Sequence, residues 1–228
     1  MKKVLTSLLM AMLAMTMFAQ KDVTTFLGIP IDGYKPAMRQ KLIAKGFVPK
    51  KVNNSEYFEG EFNGTDVHIF IGTNNNKVYR LMISDVNSRS EADIRIRFNN
   101  LVRQFKNNER YISTDDYTIS DSEDISYEMK IHNKVYQASF YQMPVFEKFD
   151  TLAFREQVKK EMLKKNSQEQ LDNPTEEISN ESEIIAARIG IDIISKKSVW
   201  FRIFESYGKY YISMYYDNEY NKANGEDL

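Results

Sequence analysis

Apolar residues in this chain recur with two periods that alternate along its length, and this alternation restricts the fold more than any other feature of the sequence. From Ser90 onward they fall at Ile94, Phe98, Leu101, Val102 and Phe105, the stripe of an amphipathic helix. Ser90, with Asp93 three residues on, predicts its N-cap. Upstream, Pro36 suits a first helical turn, Met38 and Leu42 lie one turn apart, and Gly46 before Phe47 predicts a helix end. A third helix is expected over 151–165, where Phe154, Val158 and Met162 are spaced at i+4 among lysines.

Between these stripes the period drops to two. The runs 57–62 and 65–71 flank Asn63-Gly64, a pair that supplies both positive-φ residues of a tight hairpin turn. Val67, Ile69 and Ile71 then share one face, and Asp66, His68 and Phe70 the other. The tract 73–76 turns into a further strand over 78–84. A second hairpin is expected from 126–131 to 135–142, turning at His132-Asn133-Lys134. The alternation of Ile189, Ile191 and Ile193, then 199–205, a turn over 206–209 and 210–217, read as a closing strand meander.

A helix followed by antiparallel strands therefore occurs about three times, which predicts the α+β class with helices on one face of an antiparallel sheet. The expected organisation is an α+β region over 20–165, a polar loop or linker over 166–182, and the closing meander over 183–220. A frayed tail over 221–228 completes it. The linker reading rests on Pro174 and on the scarcity of apolar residues in that stretch.

The N-terminus carries an address. Lys2-Lys3, an apolar run from Val4 to Phe18 and the small residue Ala19 form the three parts of a secretory signal peptide over 1–19. The mature chain is therefore expected to be periplasmic or extracellular, and no later stretch is apolar enough for a membrane helix. The 228-residue sequence holds no cysteine, so burial rather than disulfides must stabilise it in an oxidising compartment. Its formal net charge of −1 becomes more negative once Lys2 and Lys3 are removed, which gives nucleic acid no basic face to bind.

The segment from Phe26 to Gly33 (FLGIPIDG), followed by a short helix ending Lys45-Gly46-Phe47, resembles a group of exported Bacteroidetes proteins without an assigned activity. Phe62-Asn63-Gly64, the run from Asn74 to Tyr79 and the ending from Tyr216 to Tyr220 are similar to that group too. The resemblance implies an envelope location and carries no catalytic motif. The order of elements also looks like β-lactamase-inhibitor and SmpA-like α+β modules, which implies a protein-binding role.

Common enzyme chemistries find little support. A thiol nucleophile is excluded, there is no G-x-S-x-G elbow, and no glycine loop of the phosphate-cradling type is present. His68 and His132 are the only imidazoles, one expected in mid-strand and one beside a turn. Asp66 and His68 point the same way but need a third ligand to hold a metal. The acidic stretch of Asp115, Asp116, Asp121, Glu123 and Asp124 lacks the spacing of a calcium loop and reads as solvated. No catalytic, cofactor or metal residue is therefore assigned. Asp150-Thr151-Leu152 matches a short O-glycosylation acceptor motif, although Thr151 also suits a helix N-cap.

The closing strands are the unusual part, because apolar or aromatic residues fall on both of their faces. Trp200, Arg202 and Phe204 share one side of their strand, and the following turn can bring Tyr211 and Tyr215 alongside. One reading is a central strand pair covered on both sides, with these rings as core. The other packs one face on helices and presents these five, of the residue types that dominate binding hot spots, as the contact residues for an envelope protein or polymer. The chain reads as a non-enzymatic exported binding protein of inhibitor, immunity or assembly-factor type. The alternative is a small envelope hydrolase using a carboxylate pair that the sequence does not single out.

Overall fold

The computed structural model describes residues 22–53, 55–145 and 149–223. The expected signal peptide over 1–19 lies outside these residues, as does most of the expected tail. Ten strands and six helices follow one another along the described chain. A two-stranded hairpin, β1 (Thr25–Phe26) and β2 (Ile29–Pro30), leads into α1 (Lys35–Ala44). Then come β3 (Val48–Val52), β4 (Ser55–Phe62), β5 (Thr65–Asn74) and β6 (Lys77–Asp85). After α2 (Glu91–Lys106) the chain forms β7 (Tyr111–Ile112), α3 (Ile125–Ile131) and β8 (Gln137–Gln142). It continues through α4 (Thr151–Met162), α5 (Gln168–Asp172) and α6 (Glu176–Ser195) to β9 (Ser198–Ser206) and β10 (Lys209–Asp217).

Eight strands form one wholly antiparallel sheet, in the order β3-β4-β5-β6-β10-β9-β8-β7. Strands follow a helix or helix group four times along the described chain, where about three such units are expected, yet the sheet closes as two halves. In each half a helix precedes a four-stranded meander, and the last strands of the two halves, β6 and β10, pair at the centre.

The hairpin turns follow from local chemistry. Asn63-Gly64, Asn75-Asn76 and Tyr207-Gly208 all have positive φ at both central positions, which matches strand twist. Helix α2 starts where its cap predicts, with the Ser90 hydroxyl accepting from the Asp93 N–H. Its Ile94, Phe98, Leu101, Val102 and Phe105 join Met38 and Leu42 of α1 in one buried cluster. The sheet contributes one side of every central strand to it: Phe58, Val67, Ile69, Leu81, Ile83, Phe201, Ile203, Ile212 and Met214 among others.

Three expectations change. The stretch 166–182 is not an open loop: Ser167 and Gln170 form a reciprocal capping box that starts α5, and the Thr175 hydroxyl caps α6. The closing meander begins at Ser198, because the residues before it are helical. Ile185 and Ile189 lie one turn apart and pack on Met162, Phe154 and Val158 of α4, a cluster separate from the sheet core. Residues 126–131, expected as a strand, form α3, whose start is capped by the Asp124 carboxylate.

Candidate functional site

The helices of the main core, α1, α2 and, through Ile125, α3, pack on a single face of the sheet, so the side chains pointing the other way meet no helix of that core. The register makes this second face a ladder. Phe70 of β5 pairs with Met82 of β6, Met82 with Tyr215 of β10, and Tyr215 with Trp200 of β9. Tyr57 of β4 extends the row by stacking on Phe70, with centroids 5.8 Å apart and planes 26° from parallel. At about 4.8 Å per strand the row from Tyr57 to Trp200 runs about 19 Å. None of these five residues belongs to either buried cluster.

The five residues singled out from the sequence, Trp200, Arg202, Phe204, Tyr211 and Tyr215, all lie on this face. Trp200 stacks on Tyr215 at 3.9 Å and 13°, and Phe204 on Tyr211 at 5.7 Å and 13°. Strand side chains stand roughly perpendicular to the sheet, so two parallel rings on adjacent strands turn their faces to each other and their edges outward. The resulting surface is a palisade of ring edges, the electropositive rim of each aromatic system. Trp200, Phe204, Tyr211 and Arg202 are half-buried, whereas Tyr215, stacked on Trp200, is 8% exposed.

Two residues that the sequence did not reveal hold the palisade in place. Asp217, 2% exposed, accepts a bidentate pair from Arg80 Nε and Nη2 at 2.5 and 2.6 Å. It also accepts from the Trp200 indole N–H at 2.9 Å. The Arg80 guanidinium lies 5.0 Å from the Tyr215 ring and 5.4 Å from that of Trp200, so cation and rings are packed together. The hydrogen bonds to Asp217 raise the Arg80 pKa further, and burial pushes the Tyr215 hydroxyl up. Only the β6–β10 pairing, between segments far apart in the chain, brings Arg80 to Asp217.

Beside the aromatic row runs a polar one: Glu59, His68, Ser84, Ser213, Arg202 and Gln137, linked strand by strand. His68 lies 3.8 Å from Glu59 and edge-on to the Tyr57 ring. Ser213 bonds Ser84. His132 sits at the exposed end of α3, bonded to Glu128. Asp66 and His68 share a face as expected, yet no three His, Asp or Glu side chains among the described residues are placed to hold a metal ion.

The acidic stretch is stapled to α2. Lys106 and Thr118 hold the Asp116 carboxyl down at about 2, Arg95 donates to the Asp121 and Glu123 carbonyls, and Asn99 bonds Ile119 in both directions. Thr151 is exposed and opens α4, where the cap is the neighbouring Asp150 carboxylate rather than Thr151 itself.

These features define an α+β protein with one face of its sheet packed on helices and the other lined by aromatic edges. No family model, curated protein or solved structure matches the chain. Among the described residues no helix is long and apolar enough to cross a membrane.

Proposed function

We propose that this is an exported, non-enzymatic binding protein that receives a protein partner on the open face of its sheet. The observation that carries the reading is the aromatic ladder from Tyr57 to Trp200, which lies outside both buried clusters. Large, preorganised aromatic side chains lose little entropy on binding and supply most of the energy at hot spots. Ring orientation favours protein over polysaccharide. Sugar rings stack on aromatic faces, and here the faces are already turned toward each other. The signal-peptide pattern and the likeness of the N-terminal segment to exported proteins support an envelope location.

A photo-crosslinking amino acid placed in living cells tests the reading. Placed at Tyr211, it should yield one discrete protein adduct. The same group at Ile96, exposed on α2 and remote from this face, should yield none. Equal adducts at both positions, or a polysaccharide adduct at Tyr211, would overturn it.

A further inference from the structure

Between its aromatic stacks the open face carries a cation that meets no counter-charge among the described residues, and its surroundings specify what that cation accepts. Three arginines in the described chain, Arg89, Arg95 and Arg202, have a buried Nε with no acceptor. Arg89 lies against the Asp85 carboxylate and Arg95 against that of Glu91, so their charge is balanced. Among the described residues Arg202 has neither a hydrogen bond nor an ion pair. Its guanidinium rests on the Phe204 ring, 4.2 Å from the centroid, and its register neighbours Ser213 and Gln137 are uncharged. The flanking residues on its own strand are Trp200 and Phe204, both aromatic. Elsewhere on this face Arg80 is neutralised by Asp217 and Lys50 faces Glu59 at 3.6 Å.

A half-buried guanidinium without a counter-charge is costly unless something completes it, because a planar cation loses hydration against aromatic rings; its Nε is enclosed, so an incoming group meets the Nη end of the fork. The matching group is a carboxylate, which takes two parallel N–H bonds from the guanidinium fork. The ring edges around Arg202 are themselves electropositive, so they favour the same charge. Building on the binding-face reading, we infer that the partner inserts an acidic side chain between the Trp200–Tyr215 and Phe204–Tyr211 stacks and pairs it with Arg202. Apolar groups adjacent to that carboxylate cover the stacks on either side. Arg202 is then the specificity determinant of the face, and the aromatic residues are its walls.

Selection of a phage-displayed random heptapeptide library on the immobilised mature protein tests this without knowledge of the natural partner. Selected peptides should share an Asp or Glu flanked by an apolar residue. Changing that acid to its amide should weaken binding to the wild-type protein about tenfold, the scale of a charge-assisted pair. Against Arg202→Gln the same change should make less than about a twofold difference, since the charge coupling is gone. Arg202→Lys should recover part of the affinity, having the charge without the fork. Thermal midpoints of both variants establish that they are folded. Peptides that lose binding on Phe204→Ala but show no acidic preference would overturn the Arg202 assignment and leave the binding-face reading standing. Peptides indifferent to both Phe204→Ala and Tyr211→Ala, or none selected, would remove both.

Discussion

At the scale of single residues, two buried charges organise the fold around the site. Asp217 is almost fully enclosed and satisfied by Arg80 and Trp200. Asp217→Ala leaves the Arg80 guanidinium, about a quarter exposed, without a counter-charge and should cost about 2–3 kcal/mol in denaturant unfolding. Trp200→Phe keeps the stack on Tyr215 but removes the indole donor, and should cost only about 1 kcal/mol. A second pair fixes the start of the described chain. Lys197, 2% exposed, reaches Asp22 at 2.7 Å and the Met143 carbonyl at 3.2 Å. Asp22→Ala should cost about 3 kcal/mol or more by stranding a buried ammonium, and Lys197→Met in the same chain should recover most of it. Glu123 sets an acid limit. Lys134, and after it the Tyr136 hydroxyl, hold its carboxyl below the ordinary carboxylate value. A depressed carboxylate contributes stability that is present at neutral pH and lost as the pH falls through its folded value. Below about pH 4 the stapled loop over 113–124 should therefore loosen, and Glu123→Gln should flatten that dependence in an acid titration followed by fluorescence.

At the scale of elements, the insertion between β8 and β9 is separable from the sheet. Helices α4, α5 and α6 bury Met162, Ile185 and Ile189 against one another, and this cluster shares no residue with the main core. The Gln142 N–H bonds the Lys197 carbonyl, so the strands on either side of the insertion meet at its base. Replacing residues 146–195 by a short turn should leave a cooperative thermal transition and an unchanged near-ultraviolet spectrum; loss of both would show that the helices support the sheet. The elements differ in how far their sequences reveal them. Helices α1 and α2 are legible because Pro36, Gly46 and Ser90 mark their ends and the stripes between have one period. Helix α6 is not, because Ile189, Ile191 and Ile193 fit a strand's alternation while Ile185 and Ile189 fit a helix. A short apolar run satisfies both periods, and only packing on α4 decides between them. The same ambiguity hides α3, seven residues long and held by the Asp124 cap.

At the scale of the whole molecule, the arrangement is two helix-and-meander halves joined strand to strand, with a core on one side and a palisade on the other. Alternation of side chains places Trp200, Arg202 and Phe204 together, and the two-residue turn at Tyr207-Gly208 sets Tyr211 against Phe204 and Tyr215 against Trp200. That much of the site lies within a single hairpin and is legible in the sequence. Its continuation through Met82 and Phe70 to Tyr57, and its anchor at Arg80, depend on β6 pairing with β10, a long-range contact that no local pattern encodes. The central claim, that one face is core and the other is free, is tested most directly by comparing two variants in thermal and denaturant unfolding. Phe201→Ala removes a fully buried ring and should cost about 3–5 kcal/mol. The double variant Phe204→Ala, Tyr211→Ala removes two rings from the open face and should cost no more than about 2 kcal/mol, mainly their mutual stacking. A loss from the double variant as large as that from Phe201→Ala would contradict the account, because both faces would then be core.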